Sequence, residues 1–247
     1  MMFPRLEAVI RRRVLLNFRI NPALIEPYVP KPLEIIVHRG WAVVGICLIR
    51  LENVRPKGFP GWTGFSAENM AHRIAIRFPN NGEMQDGVFI WRRETTSRIV
   101  PWVGGRLFPG VHRHADFSVK ESSSALRMDV STQDSLADIQ FTADRLAPWE
   151  NTALFQSFTE AKDFFRAGDC GFSCGHTATR LEGLRLATNS WNMEPLRVTH
   201  IQSAFYERIR QHHPDQLIFD CGLLMQNVPH EWHGMKELNA SLAEGVS

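Results

Sequence analysis

Between Arg11 and Ile20 the side chains alternate: Arg12, Val14, Leu16, Phe18 and Ile20 share one face, and Arg11, Arg13, Leu15, Asn17 and Arg19 share the other. A period of two predicts a half-buried β-strand with a polar second face, because a helix would scatter the same residues around its circumference. Asn21 then offers a cap with Pro22 at the first helical position, and Pro27 and Pro30 stop any helix soon after. A short helical corner should follow the strand. Trp41 to Leu48 is apolar on both parities and predicts a central strand covered on both sides.

Strands dominate as far as Arg145. Arg73 to Phe78 and Gly87 to Arg92 flank the Asn80-Asn81-Gly82 turn, and Leu126 to Val130 with Asp138 to Thr142 form a further pair. Two helices are predicted. One is capped by Asn151 or Thr152 and carries Leu154, Phe155, Phe158, Ala161, Phe164 and Phe165 before Gly168. The other opens at Thr199, with Ile201, Ala204, Phe205 and Ile209 on one stripe. A strand from Leu217 to Val228 precedes a polar tail, 236–247, expected to fray. With no repeat and no linker rich in Pro, Gly or Ser, residues 1–247 read as a single domain.

A chain with 44% apolar residues and seven tryptophans can bury a substantial core. Its formal charge of +2 is spread along the sequence, which argues against nucleic acid as a partner. The run Arg11-Arg12-Arg13 is followed by a stretch too short and interrupted for a signal peptide or membrane span, so a cytoplasmic protein is expected, with no membrane partner. Cys47, Cys170, Cys174 and Cys221 do not make a disulfide framework, and Cys47 and Cys221 read as strand-core residues. Phosphate loops, dinucleotide fingerprints and serine elbows are absent, and no cofactor is expected.

Several motifs, each weak alone, recur in a fixed order: Asn21-Pro22-Ala23-Leu24, Val29-Pro30-Lys31-Pro32-Leu33-Glu34, Ser66-Ala67-Glu68, Gly105-Arg106-Leu107, Glu160-Ala161-Lys162-Asp163, and Trp191 to Phe205 followed by Leu217 to Pro229. Together they resemble acetoacetate decarboxylase-like proteins over nearly the whole chain. The Arg-rich first strand, Val54-Arg55-Pro56 and a missing lysine look most like an uncharacterised branch of that superfamily. The resemblance implies a mainly β (α+β) fold, a twisted antiparallel sheet curled into a cone or barrel around a small-molecule cavity, with flanking helices. It also implies a homo-oligomer.

The parent chemistry needs an unprotonated lysine that attacks a ketone to form an iminium, and acetoacetate decarboxylase is itself a known case of such activation by a neighbouring cation. The family places that lysine near Gly110-Val111, and Gly104 to Asp116 contains none. Lys120 lies ten residues further, about 30 Å along a strand, too far to replace it. Schiff-base decarboxylation is therefore disfavoured. By resemblance, Glu68 stands as the catalytic acid or base and Arg11 as a substrate-facing arginine. Arg106, after Gly104-Gly105, and His114 are further candidates for contact with a small organic acid or ketone.

A rival constellation is His112-Arg113-His114-Ala115-Asp116. Residues two apart share a strand face, so His112, His114 and Asp116 could offer two imidazoles and a carboxylate to one zinc or iron ion. Three classes of function follow: an enzyme acting on a carbonyl or carboxylate compound without the lysine, a non-catalytic ligand-binding protein, and a metal-dependent enzyme.

Overall fold

The computed structural model describes residues 5–97, 109–175 and 179–241. The first half is built of long strands: β1 (Leu6–Ile20), β2 (Glu34–Ile35), β3 (Val37–His38), β4 (Trp41–Pro56), β5 (Phe65–Asn80), β6 (Glu83–Thr95), β7 (His112–Glu121), β8 (Ala125–Thr132) and β9 (Ile139–Asp144). There follow α1 (Phe158–Ala167), β10 (Cys170–Cys174), β11 (Arg180–Ala187), β12 (Met193–Ser203), α2 (Ala204–His212), β13 (Leu217–Gly234) and β14 (Leu238–Asn239).

A five-strand layer in the order β13-β1-β4-β5-β6 is shared by two closed circuits of strand pairing. On one face β7, β8, β9 and β12 run from β6 back to β13. On the other face β10 and β11 make the same return journey. Successive residues of a strand point to opposite faces, so each shared strand feeds two cores. Val14, Leu16, Ile46, Ile74 and Phe141 belong to the first core, and Leu15, Cys47, Ala75, Phe165 and Leu186 to the second. Such closure leaves few free strand edges.

Most expected elements are present. Asn21 accepts from the Ala23 N–H at 3.1 Å and caps a 3₁₀ turn at Pro22–Leu24. Asn81 and Gly82, both at positive φ, turn β5 into β6. The second face of β1, expected to be polar and half-buried, is instead enclosed: Leu15 is 1% and Asn17 0% exposed, because β10, β11 and α1 cover that side.

Both helices start later than predicted. Thr152 closes a turn with Phe155, and Ser157 is the true cap of α1, accepting from Glu160 N at 3.1 Å while Glu160 reaches back to Gln156 N. Thr199 to Ser203 stay in β12, where His200 to Ser203 pair with Thr142 to Ile139, and Ser203 caps α2. The pairing with β9 overrides the helical spacing of Ile201 and Phe205. Within the tail expected to fray, Leu238 and Asn239 pair with Leu181 and Arg180.

Candidate functional site

Under the second face of the shared layer lies a cavity of about 150 Å³. Its walls include Ile49, Leu51, Phe65, Ile90 and Leu184, and three arginines, Arg13, Arg73 and Arg93. Strand parity places them. Arg13 shares a face with Leu15 and Asn17, and Arg73 shares one with Ala71 and Ala75. Arg93 needs a local irregularity: His72 pairs with Arg92 and Arg73 with Ile90, leaving Trp91 as an extra residue. That bulge lets both Ile90 and Arg93 reach the same cavity.

Their partners are neutral. Arg13 Nε donates to Cys47 Sγ at 3.4 Å, Arg93 Nε to Ser173 Oγ at 3.0 Å, and Arg73 Nη2 to Asn17 Oδ1. Arg73 also stacks 5.0 Å from the Phe165 ring, and its Nε has no hydrogen-bond partner among the described residues. The carboxylates at the wall are committed elsewhere, Asp169 to Arg185 at 2.9 Å and Glu94 to Arg92. Among the described residues none of the three arginines is ion-paired, although Glu182 tempers the field at Arg93. Burial pushes the Arg73 and Arg93 guanidiniums down to about 10, which leaves them charged at neutral pH. Buried cations without a counter-anion are costly, and an anionic ligand relieves that cost.

His112 joins this wall. Burial first, then the Arg93 charge, pushes its imidazole down to about 3, so it faces the cavity neutral. Gly110, in the region where the resemblance puts a lysine, adopts φ +80 and donates its N–H to Glu182 Oε2 at 2.9 Å. A Cβ there would meet Ser173 Cβ at 2.7 Å, so the backbone excludes a side chain at that point. Val111 is exposed. Lys31, Lys57, Lys120, Lys162 and Lys236 are all absent from the cavity wall.

The residues singled out from the sequence are placed differently. Arg11 is the extra residue of a bulge between β1 and β4, where Ile10 pairs with Leu51 and Arg12 with Arg50. It is exposed and donates to Asn227 Oδ1 at 2.5 Å, while Arg13, two residues on, enters the cavity. Glu68 lies on the opposite face of β5 from Asn69, Ala71 and Arg73. Its carboxylate accepts two bonds from Arg12 Nη2, each 2.8 Å, in a network continued by Glu121 and Arg145. Arg106 lies outside the described residues.

His112, His114 and Asp116 do not converge as a metal site. His112 lines the cavity, whereas the Asp116 side chain is 90% exposed and its nearer oxygen is 3.6 Å from His114 Nε2. Among the described residues no group of three His, Cys, Asp or Glu side chains is arranged to hold a metal ion. His114 is not among the cavity residues.

Sequence reasoning passed over Arg73, Arg93 and Cys47. An arginine opening the apolar run Ile74 to Ile76 was the available signal for Arg73, since such a charge is buried only with a purpose or a partner. Arg93 had none, because its direction depends on the Trp91 bulge.

Glu68 makes a separate prediction. Glu68→Gln should lower stability by about 2 kcal/mol in urea unfolding, since Arg12 loses a bidentate partner but keeps Glu121 at 3.1 Å. The same variant should bind anions in the cavity as the parent does, and lost anion binding would show that Glu68 acts at the cavity.

The architecture has solved counterparts. An acetoacetate decarboxylase from Legionella pneumophila superposes with a TM-score of 0.64 at 15% identity, over 97% of this chain and 89% of the other. An acetoacetate decarboxylase-like enzyme from Sphingomonas wittichii gives 0.63 at 10%, over 97% and 94%. The enduracididine biosynthesis enzyme MppR, complexed with the condensation product of pyruvate and imidazole 4-carboxaldehyde, gives 0.53 at 10%, over 96% and 88%. These likenesses establish an acetoacetate decarboxylase-like fold. A search among curated proteins by sequence returns no match. The model of the DUF2071 family, described as an uncharacterized conserved protein, matches residues 7–219, and the chain belongs to that family.

Proposed function

We propose that the cavity holds a small organic anion, a short carboxylic or 2-oxo acid, with its carboxylate among Arg13, Arg73 and Arg93. The observation that carries this reading is three guanidiniums on one cavity, none of them paired to a carboxylate among the described residues, while the wall carboxylates Glu94 and Asp169 are held by Arg92 and Arg185. An arginine fork matches a carboxylate in shape and charge, and in a low-dielectric site the match is worth far more than at a surface. The apolar remainder of the wall suits a short carbon chain. The pyruvate-derived compound bound by MppR supports this chemical class.

Any turnover of such an acid proceeds without an amine nucleophile, since no lysine lines the cavity. Binding without turnover is the second reading, and both use the same arginines. We expect a homo-oligomer in the cytoplasm, which native mass spectrometry and cell fractionation would check. The described residues contain no helix long and apolar enough to cross a membrane.

Thermal unfolding with pyruvate, acetoacetate and succinate, against neutral pyruvamide and acetone, tests the reading. The acids should raise the midpoint and the neutral analogues should not. Equal stabilisation by acetone and pyruvate would overturn the role of the arginines.

A further inference from the structure

We propose that Cys47 is the nucleophile of this cavity, adding reversibly to the carbonyl carbon of a 2-oxo acid whose carboxylate is held by the surrounding arginines. The inference rests on the anion-binding reading above and adds covalent chemistry to it.

Cys47 sits in the middle of β4, between Ile46 and Leu48 of the other core, and its parity turns its sulfur into the cavity. The sulfur accepts from Arg13 Nε at 3.4 Å, and the strand register brings the other two arginines beside it: Cys47 pairs with Ala71, Ala71 with Arg93, and Arg73 is the next residue on that face of β5. The three cations therefore gather around one thiol. Arg73 provides an independent sign of a ligand: it is 6% exposed, lines the same cavity and keeps a buried Nε without a hydrogen-bond partner among the described residues. Cys170 and Cys221, by contrast, are buried cysteines outside this wall.

Addition is balanced without a further reagent. A bond forms between Sγ and the carbonyl carbon, the C=O π electrons move to oxygen, and the S–H proton ends on the new hydroxyl. Nothing leaves and nothing is oxidised. Positive charge around the sulfur stabilises the alkoxide as it forms and draws in a negatively charged electrophile. A neutral His112 completes the wall beside the arginines.

Pyruvate labelled with ¹³C at its carbonyl carbon, observed by NMR with the full-length protein, tests this directly. A new protein-dependent signal in the range of a carbon bearing both oxygen and sulfur is expected, and it should vanish in Cys47→Ala. Alkylation adds a second readout by intact mass. Iodoacetate should modify Cys47 at least ~10-fold faster than iodoacetamide, the energy of one charge-assisted hydrogen bond, and Arg93→Gln should erase that preference. Stabilisation by pyruvate with the label staying in the ketone range and no preference for iodoacetate would overturn the role of Cys47 while leaving the arginine site intact. No stabilisation by pyruvate would overturn both.

Discussion

Between pH 6 and 4.5 the protein is expected to lose stability at roughly 3 kcal/mol per pH unit. Burial depresses three histidines: His72 and His112 to about 3, with Arg92 and Arg93 adding to it respectively, and His230 to about 4. Each unfolded imidazole titrates near 6.5. A depressed pKa means that the unfolded state binds the proton first, so the stabilisation is fully present above pH 6.5 and is lost as the pH falls, down to about 4 for His230 and about 3 for His72 and His112. Glu94 opposes this. Burial raises its carboxyl to about 6 despite Arg92, so the folded state binds its proton first as the pH falls from 6 to 4.5.

Three histidine protons less one carboxyl proton leaves two in that window, at about 1.4 kcal/mol per proton per pH unit. His72 carries the clearest share. It is 0% exposed, both ring nitrogens lack hydrogen bonds among the described residues, and its Nδ1 is 4.0 Å from Glu94 Oε2 among the rings of Phe205 and Tyr206. His72→Phe should halve the slope of stability against pH over that window, whatever it does to stability at pH 8. Urea unfolding at several pH values reads the slope, and an unchanged slope would mean that His72 is protonated in the fold.

Arg73→Met is expected to separate binding from folding. It should weaken binding of short carboxylic acids by about 100-fold, the loss of one or two charge-assisted hydrogen bonds in a desolvated site. Stability without ligand should stay level or rise, because Met replaces a buried charge that no carboxylate among the described residues balances. A purely structural arginine would behave in the opposite way, with lower stability and unchanged binding. Isothermal titration and urea unfolding on the same preparation distinguish the two.

The fold was legible where local patterns and tertiary structure agree. The β1 alternation, the two-sided apolar run of β4 and the Asn81-Gly82 turn each follow from one period or one backbone angle. Helix starts were not, because Thr199 to Ser203 satisfy helical spacing and strand pairing equally and only β9 decides between them. For the site, the resemblance pointed to a cavity and to a missing lysine, and at Gly110 a Cβ would meet Ser173 Cβ at 2.7 Å. The residues carried over with it did not come together. Arg11 is turned outward by a bulge, Glu68 faces the other core, and a second bulge, at Trp91, brings Arg93 in. Bulges shift parity by one residue, and nothing in the β1 or β6 sequence announces them.

A crystal structure of the protein grown with pyruvate is the most direct measurement. The pyruvate carboxylate should lie within hydrogen-bond distance of Arg73 and at least one of Arg13 and Arg93. Pyruvate bound elsewhere, or an empty cavity at saturating concentration, would contradict the role of the arginines.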